Sequence, residues 1–221
     1  MQQAQAVQRS SFTGQRTHVL LVGHSYIRRL DENMRRTPGR QNLGYNTDRI
    51  VIRCVGQGGA VLRPGDPERC ILSVLSTALV PHPNIVFLHI GENDVKQLSP
   101  PDISAAIIAL TDYITAVCHP TVIICSELFP FPTLSTNPAD VVTAVNMRIQ
   151  EAIQARNAVR GDTQIVYWRH EMGQWNPSTD LYLPDRVHLN ETGMRRYWRS
   201  VRTAVGRAVG PVVSRARESS D

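Results

Sequence analysis

The sequence predicts an α/β domain: a three-layer α/β/α arrangement around a flavodoxin-like five-stranded parallel sheet. Three observations predict it. Five short runs, HVLLVG (18–23), RIVIRCV (49–55), NIVFLHI (84–90), TVIICSE (121–127) and TQIVYW (163–168), are rich in Val and Ile and apolar on both faces. Such runs suit central strands covered on both sides. Helical patterns lie between the runs, and that alternation calls for a parallel sheet with helices on each face. Right-handed crossovers then leave few strand orders. The length of 221 residues fits one domain with a core large enough to need no metal or disulfide.

Taken in order, residues 1–16 are polar and aperiodic and read as a flexible tail. The first run ends at Gly23, and His24-Ser25-Tyr26 opens the helical-looking IRRL. After the second run, Asp66 before Pro67 pairs an N-cap with proline at the first helical position. Ile71, Val74, Leu75, Ala78 and Leu79 follow at helical spacing. After the third run, Asp102 is placed to cap a helix whose stripe is Ile103, Ile107, Leu110, Ile114 and Val117. Asn137-Pro138 repeats the cap-plus-proline signal ahead of Val142, Val145, Ile149 and Ala152. The last helix starts near Asn190 and presents Met194, Tyr197, Trp198, Val201 and Val205 to the core, with Arg195, Arg196, Arg199, Arg202 and Arg207 on its other faces. The folded domain is thus expected over 17–209, with a second tail over 210–221.

Composition narrows the function classes. With 42% hydrophobic and 19% charged residues, this is not a disordered chain. No apolar run reaches the roughly 18 residues of a membrane span, and the polar start has no signal core. Cys54, Cys70, Cys118 and Cys125 form no C-x-x-C pair and meet no histidine at zinc spacing, so they read as reduced thiols with no metal. Together these features predict an intracellular, cytoplasmic protein. The net charge is +5 and Lys96 is the only lysine. That arginine excess fits a solvated basic surface, or weak nucleic-acid or anionic-membrane contact through the last helix.

In folds of this kind the site lies outside the carboxyl ends of the strands. Four groups stand there. Ser25 sits on a strand-to-helix turn, where N–H groups favour negative charge, although a serine there can also be a plain helix cap. Gly56-Gln57-Gly58-Gly59-Ala60 lets backbone approach a ligand closely and does not have the dinucleotide-binding spacing. Asn93, in Gly91-Glu92-Asn93-Asp94, offers a neutral amide donor, or only a turn residue. After the fifth run, Asp185 precedes His188 by three residues and can hold its Nδ1–H, leaving Nε2 to take a proton from a serine. The connection before them is long enough to form a pocket wall, with Trp175 as its apolar lining.

The blocks VGHSY, GQGGA, IGENDV and PDRVHLNETG, in that order across roughly 18–205, resemble those of the SGNH/GDSL hydrolase family. The segment VVTAVNMRIQEA is also family-like. The resemblance implies a carboxylic ester hydrolase that needs no cofactor and takes a small acyl ester. It implies Ser25 as nucleophile, His188 as general base and then acid, and Asp185 as the residue that orients His188. It implies an oxyanion hole formed by the N–H of Ser25, the N–H of Gly59 and the amide of Asn93. The chain departs from the family pattern at His24, where aspartate is usual, so the turn lacks a carboxylate and an imidazole could compete for the same proton. It departs again at Glu92, where a small hydroxyl residue is frequent, and that change is expected at the pocket rim. GHSYIRRL and VHLNETGMRRYWRSVR further resemble SGNH domains encoded by animal retroelements.

Two other readings are carried forward. A lipid- or acyl-binding module would keep the pocket without turnover, and His24 is the feature in its favour. A nucleic-acid or membrane adaptor would use Arg195, Arg199 and Arg202, with binding that weakens steeply as salt rises. The small turn glycines and the lack of a long lid insertion lean toward short acyl chains.

Overall fold

The computed structural model describes residues 16–218 apart from 64, 132, 134–137, 160–161 and 171–179. Five parallel strands, β1 (Thr17–Gly23), β2 (Ile50–Gly56), β3 (Ile85–His89), β4 (Val122–Ser126) and β5 (Gln164–Trp168), form one sheet in the order β2-β1-β3-β4-β5. This is the flavodoxin-like order. β3 and β4 are buried at every residue, as expected of strands apolar on both faces. Alternation along the strands divides the interior into two cores. Leu20, Val22, Val86, Leu88, Ile123 and Cys125 face one helical layer. Val19, Leu21, Ile85, Phe87, Val122 and Ile124 face the other.

α1 (Ser25–Arg36) and α5 (Glu191–Glu218) cover the second of these faces, through Ile27, Leu30 and Met34 on one and Met194, Tyr197 and Val201 on the other. α2 (Leu72–Ala78), α3 (Pro100–Cys118) and α4 (Pro138–Ala158) cover the first. Among the described residues, α3 alone is long and apolar enough to cross a membrane. Its stripe of Ile103, Ile107, Leu110 and Ile114 is buried in the core, so the apolarity serves packing.

Local chemistry shifts several expected boundaries. Ser99, not Asp102, caps α3: its Oγ accepts from Asp102 N–H at 3.3 Å and donates to Asp102 Oδ2 at 2.6 Å. One hydroxyl thus serves both the N–H and the carboxylate of Asp102, which lies in the first turn. Asp66 caps a turn before α2, its Oδ1 accepting from Arg69 N–H. Val117, expected on the buried stripe of α3, is 38% exposed. α5 starts at Glu191, directly after Asn190 and close to the expected start, with Asn190 Oδ1 accepting from Gly193 N–H at 3.0 Å. It does not stop at Gly210 but runs to Glu218, so the stretch read as the start of a tail is helical over its described part. Val212, 8% exposed, still packs on the core and supplies the reason. Residues 1–15, Asn137 and Trp175 lie outside the described residues. The four cysteines are free thiols.

Candidate active site

The strand register brings three loop origins to one level. Gly23 pairs with Gly56 of β2 and with His89 of β3. Gln57 N–H donates to Gly23 O at 3.0 Å and His24 N–H to His89 O at 3.3 Å, which ties the first residues of the three loops together. The packing is tight enough that a Cβ on Gly23 would collide with the His89 carbonyl.

Ser25 is the first residue of α1 and is not its cap. His24 holds that place, with Nδ1 accepting from Tyr26 N–H at 3.5 Å. Ser25 Oγ is thereby presented at the helix N-terminus, where exposed N–H dipoles favour an anion. Among the described residues the Ser25 N–H and the Gly59 N–H donate no hydrogen bond. Gly59 has φ +72, a conformation that suits glycine, and Arg69 Nε donates to its carbonyl at 2.9 Å. Asn93 Nδ2 donates to the carbonyl of Ala60 at 2.8 Å, so the loops after β2 and β3 are joined next to Gly59. Asp94, fully buried, accepts from Leu62 N–H at 3.0 Å and holds the same junction.

The Asp185–His188 pair forms as its spacing predicts. Asp185 Oδ2 accepts from His188 Nδ1 at 2.8 Å, and its Oδ1 accepts from the N–H groups of Val187 and His188 at 2.9 Å each. Slight burial favours the protonated acid, but those backbone donors and the imidazole hold the carboxyl down to about 2. His188 Nε2 has no hydrogen-bond partner among the described residues. No hydrogen bond joins it to Ser25 Oγ, whose neighbour is His24 Nδ1 at 3.5 Å. The pair's loop is nevertheless anchored to α1 beside Ser25, because Tyr26 Oη donates to Val187 O at 2.9 Å.

Next to Ser25 lies a buried polar cluster that begins at His24. Glu92, expected at the rim, is 2% exposed. Its Oε2 accepts from His24 Nε2 at 2.7 Å, and its Oε1 accepts from His89 Nε2 at 2.6 Å and from Phe129 N–H at 3.1 Å. Tyr197 Oη donates to His89 Nδ1 at 2.6 Å. Burial pushes the Glu92 carboxyl up, but the two imidazoles outweigh it and hold the acid well below its usual range. The carboxylate that the turn lacks at position 24 thus arrives from position 92. His24, His89 and Glu92 are residue types that bind cations. Two ligands on one zinc ion, each about 2.0–2.1 Å from it, stand about 3.3 Å apart in tetrahedral geometry. The observed 2.6 and 2.7 Å are hydrogen-bond separations. A signal for this cluster was present in the sequence: two departures from one family pattern, each adding an ionisable group.

The arginines of α5 divide. Arg195 and Arg199 are exposed. Arg202 packs over the Tyr45 ring at 5.0 Å and donates Nε to Leu43 O at 3.0 Å, so part of its guanidinium is committed to the fold.

Residues 11–196 match the model of the GDSL-like lipase/acylhydrolase family, and the chain belongs to that family of hydrolases. Solved structures with the same fold include a GDSL-like lipase from Bacteroides thetaiotaomicron, at 16% identity and TM-score 0.61, covering 87% of this chain and 89% of that one. A carbohydrate esterase family 3 protein from Talaromyces cellulolyticus has 16% identity and TM-score 0.62, over 88% and 98%. An acetyl esterase variant crystallised with an acetate ion has 16% identity and TM-score 0.62, over 89% and 99%. No curated protein matches the chain. The narrower likeness to retroelement-encoded domains finds no support among these relatives.

Proposed function

We propose that the protein hydrolyses short acyl esters through an acyl-serine intermediate, with Ser25 as nucleophile, His188 as general base and then acid, and Asp185 holding His188. The observation that carries this reading is the clamp on His188. One Asp185 oxygen holds Nδ1 and the other holds two backbone N–H groups, in a loop bonded to the residue after Ser25. That clamp fixes the tautomer with Nε2 as acceptor, which is what a base for serine requires. The Ser25 hydroxyl attacks the acyl carbonyl and passes its proton to His188. The unpaired N–H groups of Ser25 and Gly59, together with the Asn93 amide, receive the oxyanion. The leaving alkoxide takes the proton from His188, and water releases the acyl group by the same steps in reverse. Ser25 and His188 must close on each other for this, a movement compatible with catalytic hydrogen bonds that tighten only once substrate is bound.

The test is hydrolysis of a series of esters of increasing acyl length, together with labelling by a fluorophosphonate. Wild type is expected to turn over the short esters and to label at Ser25, with both lost in Ser25→Ala. Unchanged hydrolysis by Ser25→Ala overturns the assignment. An unlabelled wild-type protein that still binds acyl chains identifies a binding module instead.

A further inference from the structure

Two imidazole–carboxylate couples bear on Ser25, one through a loop bonded to Tyr26 and one in contact with Ser25 Oγ. One is His188–Asp185, whose side chains are 24% and 45% exposed. The other is His24–Glu92, whose side chains are 3% and 2% exposed. We propose that His24–Glu92 is a second general-base couple for Ser25, able to take its proton without His188. This rests on the reading of Ser25 as the nucleophile.

Hydrogen-bond directions set the chemistry of the buried couple. Tyr26 N–H can only donate, and it points at His24 Nδ1, so Nδ1 carries a lone pair. The proton of His24 is then on Nε2, where it meets Glu92 Oε2 at 2.7 Å. The same Nδ1 lies 3.5 Å from Ser25 Oγ. Glu92 also accepts from His89 Nε2 and Phe129 N–H, and a carboxylate with three donors stays ionised even when buried. His89 is held in the matching tautomer by the Tyr197 hydroxyl on its Nδ1. The ionisable groups around His24 are therefore Glu92, His89 and Tyr26, with Tyr197 behind His89, and Glu92 is their anion. An imidazolium formed on His24 would be stabilised at once by Glu92. This is the role Asp185 plays for His188, met here in a water-excluded setting where it is stronger.

The step balances without any further reagent. Ser25 Oγ–H gives its proton to His24 Nδ1, which gives up its long 3.5 Å bond from Tyr26 N–H, as Oγ bonds to the acyl carbon and the carbonyl π pair moves to oxygen. On collapse the ester C–O bond breaks, and the leaving alkoxide takes the proton from Nδ1.

Fluorophosphonate labelling rates at Ser25 test the proposal. A general base contributes about 10²–10⁴, so His188→Ala is expected to label about 10²–10³ more slowly than wild type yet measurably faster than the unlabelled Ser25→Ala. Adding His24→Asn, which keeps a helix-capping side chain, should remove at least about tenfold of the remainder. Adding Glu92→Gln instead should do the same. Circular dichroism melts confirm that each variant is folded. Equal rates in His188→Ala with and without the second change overturn the proposal, as does complete loss of labelling in His188→Ala alone. In both cases a labelled wild type leaves the Ser25 reading standing. No labelling in wild type overturns that reading and the proposal with it. A measurement on the unmodified protein stands apart from all variants: imidazole ¹⁵N NMR is expected to show His24 protonated at Nε2, and a proton fixed on Nδ1 overturns the proposal.

Discussion

The Tyr26 hydroxyl donates to the carbonyl of Val187 at 2.9 Å, joining the residue after Ser25 to the residue before His188 across 161 positions of chain. Both ends of the proposed catalytic pair are thus positioned by one bond. Tyr26 is 2% exposed, and its ring sits among His24, His89, Phe129 and Tyr197 at centroid distances of 4.8, 5.4, 5.5 and 6.2 Å.

Tyr26→Phe keeps this packing and removes the bond. The Val187 carbonyl loses its partner, at a cost of about 1–3 kcal/mol in unfolding free energy. Because the loop holding His188 loosens, kcat for a short acyl ester should fall by about 10–100-fold. Urea unfolding and steady-state kinetics on the same preparation check both numbers. A variant that loses stability and keeps full kcat shows that the bond does not position His188.

Asn93→Ala removes one oxyanion donor, an effect of about 10²–10³ in kcat where such donors have been deleted. Asn93 also bonds Ala60 O at 2.8 Å, so a melting-temperature loss is expected alongside the kinetic one. Asn93→Asp also loses the bond to Ala60 O, because a carboxylate cannot donate, and it presents negative charge to the oxyanion as well. It should be at least as inactive as Asn93→Ala.

Gly59→Ala places a side chain at φ +72, beside Arg69 Nε at 3.3 Å from the new Cβ. Left-handed backbone costs a non-glycine residue about 1–2 kcal/mol. The turn is expected to relax and carry its N–H away from the oxyanion, lowering kcat more than it changes KM. Kinetics over a range of substrate concentrations separate the two parameters.

Stability should fall as pH drops from 7 to 5. His170 is 4% exposed, bonded through Nε2 to Ser126 Oγ and through Nδ1 to Ser200 Oγ at 2.7 Å each. Burial first, and the neighbouring His89 second, hold it well below its ordinary value. The unfolded chain binds a proton there near pH 6.5 while the folded one does not, so stability is full above about 6.5 and is lost as the pH falls below it. One such proton is worth up to about 1.4 kcal/mol per pH unit. Urea midpoints against pH should decline over this range, and less steeply in His170→Gln. Equal slopes in the two proteins would show that His170 already takes up its proton in the folded state.

Acid below this range acts on Asp185, whose folded value is held down to about 2 against about 3.9 when unfolded. A carboxyl depressed by folding stabilises above its unfolded value and loses that contribution as pH falls toward the folded one. Asp185 is 45% exposed, so solvent screens the effect and it should be small. Its clearer sign is the loss of the Asp185–His188 bond, visible as a change in the His188 ring NMR signals centred near the folded value of about 2.

Much of the architecture is written in short stretches of sequence. The Val- and Ile-rich runs become β1–β5 within a residue or two at each end, because the central strands β3 and β4 are covered on both faces and the edge strands β2 and β5 are partly covered. The place of Ser25, Gly59, Asn93, Asp185 and His188 follows from the same cause, since each stands after a strand and the fold gathers strand ends. The Asp185–His188 bond is legible because both partners lie within one turn of chain. Other features depend on residues distant in sequence. Glu92 meets His24 across 68 positions, and only the packing of β1 beside β3 brings them together. Whether Glu92 faced solvent or the interior was therefore a tertiary matter, decided by two imidazoles that make a buried carboxylate tolerable. The extension of α5 past Gly210 is of the same kind, since Val212 finds a core to cover. Periodicity and capping act within a few residues and can be read from the chain alone. Burial of charge depends on partners that exist only once the chain has folded.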